Sequence, residues 1–195
     1  MQLSKRTFLS LASAGAAVLV FGCGKSATAK TRYAVTYSDA EWKKRLSPAA
    51  YRVLRREDTE RPYTSQLNSE KRKGTFVCAG CNQRLFASVT KFESGTGWPS
   101  FYAPLAGGIG TKTDYKIGVP RTEVHCARCG GHQGHVFGDG PAPTGQRYCN
   151  NGLALQFIPE GEPLPELRLS VEPATRTPVL PVIPPRAPAP APRAE

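Results

Sequence analysis

Four cysteines stand as two close pairs, Cys78-Ala79-Gly80-Cys81 and Cys126-Ala127-Arg128-Cys129-Gly130. Two residues between cysteines let a tight turn aim both sulfurs at one point. Gly80 before one second cysteine and Gly130 after the other relieve the crowding a Cβ would cause. Two such knuckles make a tetrahedral thiolate set, the closed geometry that zinc takes in a structural site. By analogy with zinc-finger peptides, an ion held this way contributes roughly 10–16 kcal/mol to folding. Zinc is the expected ion at Cys78, Cys81, Cys126 and Cys129. A pair of disulfides, a redox-active CxxC pair and a rubredoxin-like iron stay open on spacing alone.

A fifth cysteine, Cys149, lies in Gly145-Gln146-Arg147-Tyr148-Cys149-Asn150-Asn151. On a strand, Arg147, Cys149 and Asn151 share one face. There a guanidinium would favour the thiolate, and an amide would orient a substrate or donate to developing negative charge. A buried, inert thiol is the competing reading. His132 and His135 flank Gly134 beside the second knuckle, and a bend at Gly134 is needed for the two rings to converge. Together they suit proton transfer or oxygen binding better than a lone histidine would. His125, next to Cys126, is expected at the surface. Gly95-Thr96-Gly97-Trp98-Pro99-Ser100-Phe101 reads as a sharp loop on which Trp98 offers an apolar wall.

These groups need a scaffold. Ser38-Asp39 ahead of Glu41 and Trp42 predicts a capped helix, and Ser47-Pro48 starts a second short helix ending near Arg56. Beyond Glu60 the pattern turns to short strands at Thr75–Val77, Arg84–Phe86, Thr122–Val124, His135–Phe137 and Leu153–Ile158, separated by Gly, Pro, Asn and Asp. The expected class is mainly β and antiparallel, with an N-terminal helical clasp. A chain of 195 residues and 39% hydrophobic content can bury such a core.

The ends are expected to lie outside this fold. Residues 1–30 carry Lys5-Arg6 and an apolar stretch from Phe8 to Phe21, a signal-peptide core too short to span as a helix. Gly22-Cys23 resembles a bacterial lipobox, and Ser4-Lys5-Arg6-Thr7-Phe8-Leu9 resembles a twin-arginine signal with Lys for the first Arg. An exported protein of the periplasm or cell envelope is expected, held to the membrane if Cys23 is acylated. Residues 171–195 hold Pro184-Pro185 and Pro188-Ala189-Pro190-Ala191-Pro192, predicting an extended, disordered spacer. The domain is therefore placed at 31–170. The net charge is +11, and residues 31–170 mix both signs freely. No basic run interleaves with aromatics, which argues against a nucleic-acid surface.

Glu41–Leu46, both knuckles, Ser94–Phe101, Gly134–Phe137, Gly138–Pro141 and Arg147–Asn150, in this order, resemble the methionine-R-sulfoxide reductases of the B type over about Asp39 to Pro159. The resemblance implies two antiparallel β-sheets and a structural zinc on Cys78, Cys81, Cys126 and Cys129. It implies Cys149 as nucleophile, with His132, His135 and Asn151 at the reacting groups. Trp98, Phe101, Arg147 and Asp139 fall on the substrate side. It also implies methionine R-sulfoxide in oxidised proteins as substrate, a sulfenic acid on Cys149 and a thioredoxin-like thiol as reductant. A monomer is expected. One position departs from the pattern: many members carry a resolving cysteine in the glycine-rich loop, and here it is Thr96. Direct reduction of Cys149 by an external thiol is the expected consequence. Two other classes compete, a non-catalytic zinc-bound binding module and a thiol–disulfide oxidoreductase that uses one CxxC pair.

Overall fold

A computed structural model describes residues 33–170. The export segment with Cys23 and the proline-rich segment 171–195 lie outside the described residues.

Helix α1 (Asp39–Arg45) starts on Ser38, whose hydroxyl accepts the Glu41 amide at 3.2 Å. The return half of the predicted capping box is replaced by an ion pair, with the Glu41 carboxylate bonded to Arg45 at 3.2 Å. Helix α2 (Pro48–Arg56) has Ser47 as its cap and Pro48 in its first turn, where a missing N–H costs nothing. It buries Ala50, Tyr51, Val53 and Leu54 and ends at Glu57 in a left-handed conformation.

The strands form two antiparallel sheets, as expected. The smaller contains β1 (Gly74–Cys78), β2 (Arg84–Ala87) and β9 (Leu155–Pro159) in the order β2-β1-β9. The larger contains β3 (Lys91–Phe92), β4 (Ser100–Phe101), β5 (Ile109–Asp114), β6 (Arg121–Cys126), β7 (His132–Phe137) and β8 (Arg147–Asn150), ordered β3-β4-β8-β7-β6-β5. Phe76, Phe86 and Phe101 fill the core, with ring centroids 4.9 Å apart for Phe76–Phe101 and 4.3 Å for Phe86–Phe101.

Three strands, β3, β4 and β5, are absent from the sequence reading. β5 is a polar edge strand, Ile-Gly-Thr-Lys-Thr-Asp, with no apolar alternation to reveal it. The two-residue strands β3 and β4 emerge only from pairing. Ser100 and Phe101, read as the end of a loop, sit between Phe92–Lys91 and Cys149–Tyr148. Leu153 and Ala154, read as strand, belong to a 3₁₀ turn at Gly152–Ala154 that precedes β9.

Among the described residues, no helix is long and apolar enough to cross a membrane.

Candidate metal centre and active site

The two knuckles have the same backbone. Asn82 donates its amide to the Cys78 carbonyl at 2.8 Å, and Gly130 donates to the Cys126 carbonyl at 2.9 Å. Each follows a second cysteine and each is left-handed, Asn82 at φ 65° and Gly130 at φ 66°. The conformational demand in the first knuckle therefore falls on Asn82, not on Gly80 as expected. Asparagine tolerates that region better than most residues. The four sulfurs lie within 4.8 Å of one another and all four cysteines are buried. Cys78 and Cys129 sulfurs are 3.7 Å apart, Cys81 and Cys126 sulfurs 3.5 Å. Zinc–sulfur bonds of about 2.3 Å in a tetrahedron put sulfurs about 3.8 Å apart, so the set fits such an ion. The close pairs join one knuckle to the other, which suits a shared ion and not a redox pair within one CxxC. The neighbouring Cys126 sulfur and burial push the Cys78 and Cys129 thiols up. Four thiolates can gather here only around a cation.

The second site is built by strand register. Lys112 faces Glu123, Glu123 faces His135, His135 faces Cys149 and Cys149 faces Ser100 across successive strands of the large sheet. Directly paired residues point to the same face, with Cβ atoms about 4.5–5.5 Å apart. The large sheet therefore carries a transverse polar row with the free thiol inside it. Phe101 and Tyr148 form the next pair along and point to the other face. This corrects the substrate-side placement of Phe101: it is fully buried in the core, stacked on Phe86.

Cys149 lines a cleft of about 130 Å³ with Thr59, Trp98, Arg121, His135 and Asn151. A larger groove of about 710 Å³ runs past Lys73, Val89 and Glu162 near the small sheet, and neither cysteine nor histidine lines it. Cys149 is partly buried, and burial pushes its thiol up. Opposing this, in order, are a Thr96 hydroxyl contact at 3.9 Å, the Arg147 charge and Ser100. Arg147 favours the thiolate, as expected, but burial outweighs it. Arg147 is held by Asp139 through two bonds of 2.9 and 2.8 Å. Asp139 is exposed and does not line the cleft. Ser94 bonds both Thr96 and Ser100 at 2.8 Å, which completes a hydroxyl chain beside the sulfur.

The two histidines separate in role. His135 reaches the cleft, and its Nε2 lies 2.7 Å from Asp114 Oδ2. The Lys116 amide, His135 and Arg121 hold the Asp114 carboxyl far below its ordinary value. An ionised carboxylate only accepts, so Nε2 carries the proton and Nδ1 keeps a lone pair. Burial lowers the His135 pKa, which favours the neutral ring. His132 is buried and does not line the cleft. Its Nδ1 is 3.0 Å from buried Glu123, within ion-pair range but outside hydrogen-bond geometry. The two rings meet edge-on at 5.5 Å. The anticipated bend appears as a register shift between Val124 and His125, opposite this segment. Gly134 is required for a different reason: a Cβ there would fall 2.0 Å from the Cys149 carbonyl oxygen. His125, expected at the surface, is half-buried against the Tyr33 ring, and burial lowers its pKa.

Trp98 and Asn151 are both at the cleft. The Asn151 amide donates to the Gln133 carbonyl at 3.0 Å and accepts the Glu60 amide at 2.9 Å. Asp114, Arg121, Glu123, Thr59 and Glu60 were missed by sequence reasoning. Arg121 and Glu123 carried a signal, since charges two apart within a strand share one face. Asp114, on a polar edge strand 21 positions from His135, carried none.

Two antiparallel sheets, a buried four-sulfur knot and one free thiol opposite a histidine in a small cleft define a metal-braced β domain with a single cleft thiol. The family model described as SelR domain matches residues 46–159, and the chain belongs to that family. It is 53% identical over 129 residues to the peptide methionine sulfoxide reductase MsrB of Leptospira interrogans, a match covering 66% of this chain and 98% of that protein. The protein of the same name from Methanosarcina barkeri is 54% identical over 130 residues, 66% of this chain and 92% of the relative. That of Pseudomonas putida is 54% identical over 120 residues, 61% and 90%. With such identity across nearly the whole length of these relatives, the chain is an oxidoreductase, and the reading as a non-catalytic module falls.

Proposed function

We propose that this enzyme reduces the R epimer of methionine sulfoxide, mainly within oxidised proteins, through a sulfenic acid on Cys149. The observation that carries the mechanism is the cross-strand pair of Cys149 and His135, with Asp114 behind the ring, in a cleft walled by Trp98. The relatives' activity supplies the reaction, and family resemblance supplies the epimer, since separate reductases serve the two sulfoxides.

The resting groups are a neutral thiol and a neutral imidazole. The substrate S-methyl rests on Trp98 with its sulfur towards Cys149. As Cys149 sulfur attacks the sulfoxide sulfur, His135 Nδ1 takes the thiol proton and passes it to the sulfoxide oxygen. Asp114 steadies the transient imidazolium, as a carboxylate does behind a catalytic histidine elsewhere. The protonated oxygen moves from the substrate sulfur to Cys149 sulfur as the new bond between the two sulfurs breaks, so methionine leaves and Cys149 carries the hydroxyl as a sulfenic acid. Thiol plus sulfoxide gives sulfenic acid plus thioether, with no net proton exchanged. A first external thiol then displaces water and forms a mixed disulfide, and a second releases Cys149. Among the described residues the other free cysteines are the four of the metal knot. Thr96 stands beside Cys149, where many family members have a resolving thiol. A thioredoxin-like partner outside the cytoplasm is the proposed source of electrons.

The metal knot bears no substrate; zinc there would brace β1 and β6. Lys5-Arg6, the apolar segment and Gly22-Cys23 support export to the cell envelope, with acylation of Cys23 read out by the intact mass of the mature protein. The activity is tested with a pair of peptides that carry the R or the S sulfoxide. Reduction of the R peptide alone, lost in Cys149→Ser, is expected; equal reduction of both or retention of activity in the variant overturns the proposal.

A further inference from the structure

The residue that ties the cleft together from behind was not among the residues singled out for chemistry. Glu60 is 7% exposed and uses each of its polar groups. Its carbonyl accepts Trp98 Nε1–H at 3.0 Å. Its amide donates to Asn151 Oδ1 at 2.9 Å. Its carboxylate accepts the amides of Gly152 and Leu153, at 2.5 and 3.0 Å, at the start of the 3₁₀ turn that follows Asn151. Thr59, immediately before it, lines the cleft.

A buried carboxylate without a cation is costly, and two backbone amides are a modest return if stability alone is counted. Burial raises the Glu60 pKa against the pull of those amides. The local sequence makes room for the arrangement. A Cβ on Gly152 would lie 1.9 Å from Ser65 Oγ and 3.2 Å from Glu60 Oε1, so only glycine lets the carboxylate meet this backbone.

We infer that Glu60 is a positioning residue for the proposed reaction, seating Trp98 and Asn151 against Cys149 from outside the cleft. This rests on the reading of Cys149 as nucleophile. Loss of the carboxylate frees the turn after Asn151, and the Glu60 backbone that holds the indole shifts with it. The consequence falls on substrate seating before it falls on the thiol.

The test uses the full chain in a Trp42→Phe background, so that Trp98 is the sole tryptophan. Glu60→Gln is compared with its parent for metal content, melting temperature, the rate of Cys149 alkylation, Trp98 emission, and KM against kcat for an N-acetyl methionine R-sulfoxide amide. A rise in KM of about tenfold, red-shifted Trp98 emission and unchanged alkylation and metal content are expected. A lower melting temperature with KM and Trp98 emission unchanged shows a brace for the fold only and overturns the inference. If Glu60→Gln does not fold, Glu60→Asp, too short to reach both amides, is read in the same way. Trp98 emission needs no turnover, so a parent enzyme inert towards the sulfoxide counts against the proposed function and leaves the Glu60 test standing.

Discussion

The five free cysteines of the described residues occupy two environments that oppose each other. In the knot, four sulfurs crowd together, fully buried, and only a cation relieves their mutual repulsion. In the cleft, one sulfur stands apart, half-buried, with hydroxyls, a histidine and a guanidinium around it but no second thiol. Both are desolvated. What separates a structural sulfur from a reactive one here is its company and its access, not its burial. In the proposed mechanism the cleft sulfur keeps its proton at rest, since burial raises its pKa, and His135 on the facing strand takes it.

The largest expected effects break this contrast directly. Serine at any of Cys78, Cys81, Cys126 or Cys129 should lose the metal and the fold together, since a structural ion supplies about 10–16 kcal/mol in comparable sites. Cys149→Ser should keep metal and melting temperature and lose turnover by more than about 10³-fold. Metal analysis, thermal melts and sulfoxide reduction on the five variants check both halves.

Next in size is the proton relay. His135→Asn should slow reduction about 10²–10⁴-fold. Asp114→Asn should slow it less and change the acid limb of the pH–rate profile. The wild-type ring has a lowered pKa, so acidification through that value should protonate it and switch off its role as base. Activity that rises on acidification through this range would contradict the assignment.

The core was more legible in the sequence than the site. Helix caps and most strands follow from local signals: Ser38, Ser47-Pro48, and β-branched or aromatic runs between turn residues. The knuckles follow from spacing. The site's polar row does not, because it runs across strands whose pairing partners are far apart in the chain. Asp114 meets His135, and Glu60 meets Asn151, only after the sheet has assembled. Phe101 shows the converse. It sits beside Ser100 in a motif that carries chemistry, yet strand alternation turns it to the opposite face. Phe101→Ala should therefore cost about 3–5 kcal/mol of stability, by denaturant titration, with KM unchanged.

The smallest effect sharpens the electrostatic half of the comparison. Burial outweighs Arg147 in setting the Cys149 pKa, and Asp139 fixes the guanidinium in place. Alkylation of Cys149 should keep accelerating as pH rises past the midpoint of an ordinary cysteine. Arg147→Met should raise the midpoint further, slowing alkylation at pH 8 by roughly three- to tenfold, within the tenfold that one pKa unit allows. Faster alkylation in the variant would show that the local charge balance has the opposite sign.

The most direct test is one turnover without reductant. Enzyme mixed with excess R-sulfoxide peptide is trapped with a sulfenic-acid reagent, digested and mapped by mass spectrometry. The account predicts one oxygen equivalent captured on Cys149, one methionine released per chain and the four knot cysteines untouched. Methionine released while Cys149 remains a free thiol, or Cys149 recovered in a disulfide with a knot cysteine, would contradict it.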